Sequence, residues 1–296
     1  IRRASGVECI AHGRVTMFVT MRDNLRLNVQ IQGSGEPLLL IHGFTGSHRS
    51  WGEDLISGLC TAHQVVAVDL LGHGESDISP HPGRYAVDEM LEDLGQVLDA
   101  LAIQEARWLG YSMGGRIALA GAVRSPERIS SLILESASPG LAGEGERRAR
   151  RRADEALAEG ILRGGMEEFV DHWMGLPLFA TQGKLPPKVR SHTRELKLQN
   201  APEALAACLR GLGTGAQPSF WSDLPEVRIP VLLMAGEEDR KFTLVAERMA
   251  EELPDAELRV MPRAGHAIHL ENPFAWLAAV RTFDPEEGPV DSRATP

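Results

Sequence analysis

Leu109-Gly110-Tyr111-Ser112-Met113-Gly114-Gly115-Arg116 reads G-x-S-x-G, with Ser112 at its centre. An apolar stretch (Ala106, Trp108, Leu109) leads into it and a helical one (Ile117, Ala118, Leu119, Ala120) follows. Strand, sharp turn, helix is the elbow that lifts a serine hydroxyl out of an α/β sheet. The serine takes a strained backbone turn there, and bulky neighbours at Gly110 and Gly114 would collide. The bare pattern also arises by chance, as an ordinary turn. The flanking strand and helix favour a nucleophile.

Outward from the elbow, strands and helices alternate. Leu25, Leu27, Val29 and Ile31 alternate with polar residues, a half-buried strand. Pro37-Leu38-Leu39-Leu40-Ile41 is apolar throughout, which marks a strand buried on both faces. Val65 to Val68, Arg107 to Leu109, Leu132 to Leu134, Pro230 to Met234 and Leu258 to Met261 read the same way. Helical patterns such as Val87 to Leu101 and Phe242 to Leu253 lie between them. The alternation predicts a mostly parallel central sheet flanked by helices.

One region breaks the rhythm. From about Pro139 to Arg228 the pattern is helical only, with Arg147, Arg148, Arg150, Arg151, Arg152, Trp173, Arg190 and Arg194 within it. An all-helical insertion between two strands of such a sheet belongs over the strand carboxyl ends, where open α/β sheets bind ligands. It reads as a lid. The predicted organisation is residues 1–20, an N-terminal extension of unknown role; 21–138 and 229–283, the core; 139–228, the lid; and 284–296, a polar, Pro-containing tail expected to be poorly ordered.

Bulk properties narrow the function. The chain has 296 residues, a formal charge of -10 and three cysteines. Acidity argues against a general nucleic-acid or membrane-surface binder. Cys9, Cys60 and Cys208 are scattered, with neither disulfide nor zinc spacing, which suits a reducing, cytoplasmic setting. No run reaches the length of a membrane span. No metal is expected.

A serine nucleophile needs a base, and the base needs an orienting acid. In this arrangement the chain order is Ser, then Asp or Glu, then His. Asp239 follows the apolar strand ending at Met234, and His266 follows the last strand. Both fall on the edge where Ser112 emerges. The alternatives are a surface Asp239 and a structural His266. Glu135, at the end of the strand after the elbow, is a rival acid. His269 is a weaker rival base, since it has entered the next helix. An oxyanion hole needs two backbone N–H groups. Met113 supplies one, and the loop Ile41-His42-Gly43-Phe44-Thr45-Gly46 supplies the other, from Phe44. His42 and His73 read as structural hydrogen-bonding residues.

These elements resemble the α/β-hydrolase superfamily. Further motifs narrow the likeness: Glu135-Ser136-Ala137-Ser138-Pro139-Gly140-Leu141, Pro177-Leu178-Phe179-Ala180, Gly213-Thr214-Gly215-Ala216-Gln217-Pro218, Asp239-Arg240-Lys241-Phe242 and Ala264-Gly265-His266-Ala267-Ile268-His269-Leu270-Glu271. Over about Leu25 to Thr282 the chain is similar to the 2-succinyl-6-hydroxy-2,4-cyclohexadiene-1-carboxylate synthase family of menaquinone biosynthesis. The resemblance implies a pyruvate-eliminating lyase that uses no metal or organic cofactor. In it Ser112, activated by His266 and Asp239, acts as base, and Tyr111 lines the pocket. It also selects Arg116, Arg150, Arg194 and Trp173 as contacts to a small tricarboxylate substrate.

The residues lend independent support. Arg116 lies one turn past Ser112, where a charge is costly unless an anion meets it. In the lid helix Ala149, Ala153, Ala156, Leu157 and Ile161 form an apolar stripe that Arg150 borders, while Arg148 and Arg152 face solvent. For each lid arginine the competing reading is a surface charge, and for Trp173 plain packing. The rival function is a serine hydrolase acting on an ester, lactone or carbon–carbon bond of an anionic small molecule. A non-catalytic binding module is disfavoured because Ser112, Asp239 and His266 are all present. A monomer or small homo-oligomer is expected.

Overall fold

The computed structural model describes residues 8–10 and 13–283. The predicted tail, 284–296, lies outside the described residues. Among the described residues nine strands form one sheet: β1 (Glu8–Ile10), β2 (Arg14–Thr20), β3 (Arg26–Gly33), β4 (Glu36–Ile41), β5 (His63–Val68), β6 (Ala106–Tyr111), β7 (Ile129–Glu135), β8 (Val231–Gly236) and β9 (Ala256–Met261), in the order β1-β2-β3-β5-β4-β6-β7-β8-β9. The pairs β1–β2, β2–β3 and β3–β5 are antiparallel, and every pairing among β4 to β9 is parallel. This is the α/β-hydrolase fold.

Residues 14–20, read from the sequence as part of an extension, are a strand of the sheet. Val15 pairs with Ile31, and Met17 and Val19 are buried in the core. Their period-two spacing was visible in the sequence, and Asp23-Asn24, with Asn24 at φ 68°, is the turn that pairs this strand with β3.

The helices are α1 (Glu53–Leu59), α2 (Val87–Ala100), α3 (Met113–Arg124), α4 (Glu144–Met174), α5 (Pro187–Leu198), α6 (Pro202–Leu212), α7 (Arg240–Glu252), α8 (Ile268–Glu271) and α9 (Pro273–Arg281). They cover both faces of the sheet, which explains the unbroken apolar strands. Along β4, Leu39 and Ile41 join the core beneath α2 and α3, while Leu38 and Leu40 join Trp51, Leu59 and Trp276 on the other side. Burying each such side chain contributes about 1.5–3 kcal/mol.

The region 139–228 is helical, as predicted, but its buried face differs from the predicted one. Ala149, Ala153 and Ala156 are exposed, and Asp154, Ala158 and Ile161 are buried, with Arg150 on the same face. Alanine is small enough to sit on either side of a helix, so a stripe of alanines does not fix its rotation. At Gly165 the backbone leaves helical geometry (φ 73°), which breaks α4 into two segments.

The topology positions the site. The chain runs from β4 outward to β5, then crosses back to β6 on the other side of β4. The carboxyl ends of β4 and β6 are therefore adjacent at the switch point, with Ile41 opposite Gly110.

The elbow permits no side chains at its glycines. A Cβ on Gly114 would lie 2.0 Å from the Ile41 carbonyl oxygen, and one on Gly110 would lie 2.4 Å from the Gly114 carbonyl oxygen. In α2, a Cβ on Gly95 would meet nothing within 4 Å. Gly114→Ala should therefore destabilise by at least the cost of ordinary overpacking, about 1–3 kcal/mol. Gly95→Ala should stabilise by about 0.4–1 kcal/mol. Urea unfolding of the two variants checks this; equal effects would contradict it.

Candidate active site

Ser112 joins β6 to α3 with φ 51° and ψ -105°, a left-handed value that is strained for a serine. Its N–H donates to the Glu135 carbonyl oxygen at 2.8 Å, and its own carbonyl accepts from Arg116 N. The hydroxyl stands at the head of α3, 3.0 Å from His266 Nε2. His266 Nδ1 is 2.7 Å from Asp239 Oδ2. Asp239 also caps α7, its Oδ1 accepting from Phe242 N at 3.2 Å. Asp239 and His266 are buried, and Ser112 is half-buried. A carboxylate only accepts, so His266 Nδ1 carries the proton and Nε2 is free to take one from Ser112. The ring is held between Phe242, 4.5 Å away between centroids, and Tyr111 and Phe179 at 5.5 and 5.8 Å.

Glu135, the rival acid, is not at His266. Its Oε1 accepts from His269 Nδ1 at 2.7 Å and its Oε2 from Trp276 Nε1 at 2.8 Å.

The loop after β4 lies against the head of α3. Gly43 has no room for a side chain, since a Cβ would come within 2.7 Å of the Tyr111 ring. Among the described residues the N–H groups of Phe44 and Met113 have no acceptor. The loop is anchored from below. His42 Nδ1 donates to Gly43 O at 2.8 Å and its Nε2 accepts from Leu70 N at 3.1 Å. Asp69 accepts from Asn28 Nδ2, from the ring and main chain of His48, and from Glu75 N. Burial alone would push the Asp69 carboxyl up; its bond to His48, the nearby imidazoles of His48 and His42 and the Glu75 N–H together outweigh that and hold it at about 2. His73 donates Nδ1 to Leu71 O, and burial, with His42 nearby, lowers it to about 3. Burial likewise lowers His42.

Two adjoining lobes, of about 210 and 330 Å³, open beside Ser112 and share Phe44, Trp173 and Phe179 as walls. The first holds Arg116, Arg150 and Lys241. Arg116 is 9% exposed, and its Nη1 donates to Leu212 O at 3.0 Å and to Gln217 Oε1. Both acceptors are neutral, and burial, with Arg150 close by, lowers its guanidinium to about 10. Arg150 Nε donates to the buried Asp154 at 2.7 Å. Trp173 packs edge-on to Phe44 at 5.3 Å, and its buried indole N–H has no partner among the described residues. Tyr111 lines the second lobe; burial and the Glu135 charge push its phenol well up, so it stays neutral.

Arg194 is not brought to the cleft. The second lobe is lined from α5 by Lys188, Val189, His192, Thr193, Leu196 and Lys197. Arg194 lies on another side of that helix, with Arg190 and Ser191, and its Nε donates to Asp171 at 2.8 Å. The cations that α5 does present are Lys188 and Lys197, both missed by the sequence reading; Lys197 is the more buried of the two. Its Nζ donates to Thr45 Oγ1 at 2.8 Å, and burial lowers it to about 8. The signal existed: Val189, Thr193 and Lys197 repeat every four residues.

The sequence profile of the α/β-hydrolase fold family matches residues 36–273. A protein of Bacillus subtilis (strain 168), named as a candidate 2-succinyl-6-hydroxy-2,4-cyclohexadiene-1-carboxylate synthase, is 40% identical over 270 residues, 90% of this chain and 98% of that protein. The synthase of that name from Serratia proteamaculans (strain 568) is 31% identical over 247 residues, 83% of this chain and 92% of that one. Among solved structures, MenH from S. aureus superimposes with a TM-score of 0.84 at 34% identity, covering 88% of this chain and 98% of that chain.

The buried histidines under the loop carrying Phe44 make acid stability predictable. A group with a lowered histidine pKa stays neutral when folded, while the unfolded chain takes its proton near 6.5. For His73, stability is therefore lost as pH falls from 6.5 towards about 3. One such group gives about 1.4 kcal/mol per pH unit. Asp69 acts with the same sign, at lower pH: its contribution is lost between 3.8 and about 2. Urea midpoints should fall steadily between pH 6.5 and 4, and His73→Asn should flatten that fall. An unchanged slope in the variant would count against His73 as a source.

Proposed function

Because the chain belongs to the α/β-hydrolase fold family and, within it, to the 2-succinyl-6-hydroxy-2,4-cyclohexadiene-1-carboxylate synthase family, we propose how its residues carry out that family's elimination of pyruvate. The substrate is 2-succinyl-5-enolpyruvyl-6-hydroxy-3-cyclohexene-1-carboxylate. Substrate and product differ by the enolpyruvyl group, one ring hydrogen and the position and number of ring double bonds. The step is therefore a proton abstraction with loss of a leaving group.

Ser112 Oγ, its proton passing to His266 Nε2, takes the hydrogen from the ring carbon that bears the succinyl ketone. Asp239 steadies the imidazolium that results. Electron density builds on the ketone oxygen, which the N–H groups of Phe44 and Met113 receive; the positive end of α3 adds to this. The density then returns through the ring. The ring double bond between carbons 3 and 4 gives way to bonds between 2 and 3 and between 4 and 5, the bond from carbon 5 to the enolpyruvyl oxygen breaks, and enolpyruvate leaves. It takes the proton held by His266 and tautomerises to pyruvate. No bond to Ser112 forms, so the nucleophile of a hydrolase serves as a base.

The observation that carries this reading is the set of cations around Ser112. Arg116 is buried against neutral acceptors only, and Lys197 has no carboxylate within ion-pair distance among the described residues. Three substrate carboxylates would meet Arg116 and Arg150 in one lobe and Lys197 in the other, with Trp173 and Tyr111 flanking the ring. No helix among the described residues is long and apolar enough to cross a membrane. With its scattered cysteines, we place the enzyme in the cytoplasm.

The direct test is pyruvate release from the family's substrate. Hydrolysis of an anionic ester with no pyruvate formed would overturn the reading in favour of a hydrolase. Arg116→Ala, Arg150→Ala and Lys197→Ala should each lose a charge-assisted contact, typically about 2–5 kcal/mol, or roughly 30- to several-thousand-fold in kcat/KM. Arg148→Ala and Arg194→Ala should change little. Equal, mild losses in all five would remove the support for a polyanionic substrate.

Lys197 also sets a pH limit. Its charged form holds the substrate and exists below about 8. KM should therefore rise as pH passes through that value, and Lys197→Arg, which stays charged, should abolish the rise. A parallel rise in both enzymes would assign the effect elsewhere.

A further inference from the structure

Glu135 is a fully buried carboxylate, 0% exposed, that the proposed elimination does not use. It is the last residue of β7, opposite Tyr111 on β6 and Met234 on β8. Among the described residues no lysine or arginine lies within ion-pair distance of it. An acid in such a place is costly unless its lone pairs are satisfied. Here they are. Oε1 accepts from the main-chain N–H of His269 at 3.1 Å and from its Nδ1 at 2.7 Å, and Oε2 accepts from Trp276 Nε1 at 2.8 Å.

The same residue holds the elbow. Its carbonyl oxygen accepts from the N–H of Ser112 at 2.8 Å, at the residue whose φ is 51°. His269 comes three residues after His266, in α8. Glu135 thus grips the nucleophile through its main chain and the segment carrying the base through its side chain. Glu271, a second glutamate bound to the segment carrying His266, works differently. It accepts from Gly265 N at 2.8 Å and Ala267 N at 3.2 Å, closing the loop on itself and tying it to nothing across the sheet.

We propose that Glu135 is a positioning residue that sets the separation of Ser112 Oγ and His266 Nε2 by binding both of their supporting segments. The proposal rests on the Ser112–His266–Asp239 reading above. Tyr111 reports the tightness of the arrangement: its ring lies 5.5 Å from His266 and 4.7 Å from His269, centre to centre, at the junction of the two segments. An amide in place of the Glu135 carboxylate turns its N–H donors either to Trp276 Nε1 or to the two His269 donors, so one or two of the three bonds are lost. A displacement of about 1 Å at a reacting pair costs on the order of 10²-fold in rate.

The test uses two readouts on Glu135→Gln. One is kcat and KM for pyruvate release. The other is the rate at which a small fluorophosphonate labels Ser112, a reaction in which Oγ bonds to phosphorus, fluoride leaves and His266 takes the proton. Both kcat and the labelling rate should fall together, about 10- to 100-fold, with KM within about twofold. A lowered Tm with both rates unchanged, at a temperature well below unfolding, would overturn the proposal, as would a change confined to KM. Should Glu135→Gln not fold, His269 decides. His269→Ala should show the same joint loss, and His269→Asn, whose amide N–H replaces Nδ1 as donor, should recover most of it. Equal rates in those two variants would overturn the proposal. Wild-type protein left unlabelled at Ser112 would refute the triad reading itself. Labelling without pyruvate release would refute the assigned reaction and leave Glu135 open to measurement by labelling.

Discussion

The contact on which the rest depends is one of main chain against main chain. The first turn of α3 presses on the end of β4 so closely that a side chain at Gly114 would come within 2.0 Å of the Ile41 carbonyl oxygen. That approach fixes the reversal between β6 and α3 and holds Ser112 at φ 51°. The strain is sustained because the surrounding sheet over-determines it. Two consequences follow at once. The hydroxyl projects from the sheet edge rather than lying in it, and the head of α3, with the free Met113 N–H, comes beside the loop that carries Phe44. Ser112 and the N–H groups of Met113 and Phe44 take their positions from this one junction.

A second constraint is electrostatic. The chain is acidic, at -10 overall, and most of its arginines are paired with carboxylates on the surface. The cleft departs from that pattern. Arg116 leans on a carbonyl and an amide oxygen, and Lys197 on a hydroxyl. Cations held by neutral acceptors keep their charge for a ligand, whereas an ion pair would have to be broken to release it. Arg150, bound to Asp154, is the intermediate case: its nearest acid also orients it towards the lobe it lines. The positive field is thus local, confined to the walls of a cavity in a negative molecule.

Core and helical insertion each contribute part of the site. The core strands place Ser112, Asp239, His266 and the loop carrying Phe44 at their carboxyl ends. The helical insertion supplies the aromatic wall and the second lobe, through Trp173 and the inward side of α5. A change in the insertion can therefore alter what binds without disturbing the elbow. The break in α4 at Gly165 gives its two halves separate directions over the core.

What could be read along the chain was what local chemistry announces. The apolar runs Leu38 to Ile41 and Leu132 to Leu134 read as strands covered on both faces, and the glycines around Ser112, set between a strand and a helix, read as an elbow. Asp239 and His266 were legible because each follows such a run, and strand ends share one edge. The rest depends on rotations and crossings that no local window contains. Asp239 rather than Glu135 faces His266 because of where β8 lies in the sheet and which way each side chain leaves its strand. Lys197 rather than Arg194 faces the cleft because Lys197 follows Thr193, which lines it, by four residues or about one turn, whereas Arg194 is one residue, about 100°, further round the helix. The exposed alanines of α4 and the paired strand at 14–20 show the same limit. Sequence determined which segments are strands and helices and which residues carry the chemistry. Tertiary structure decided which of them meet, because a meeting depends on the packing of segments far apart in the chain.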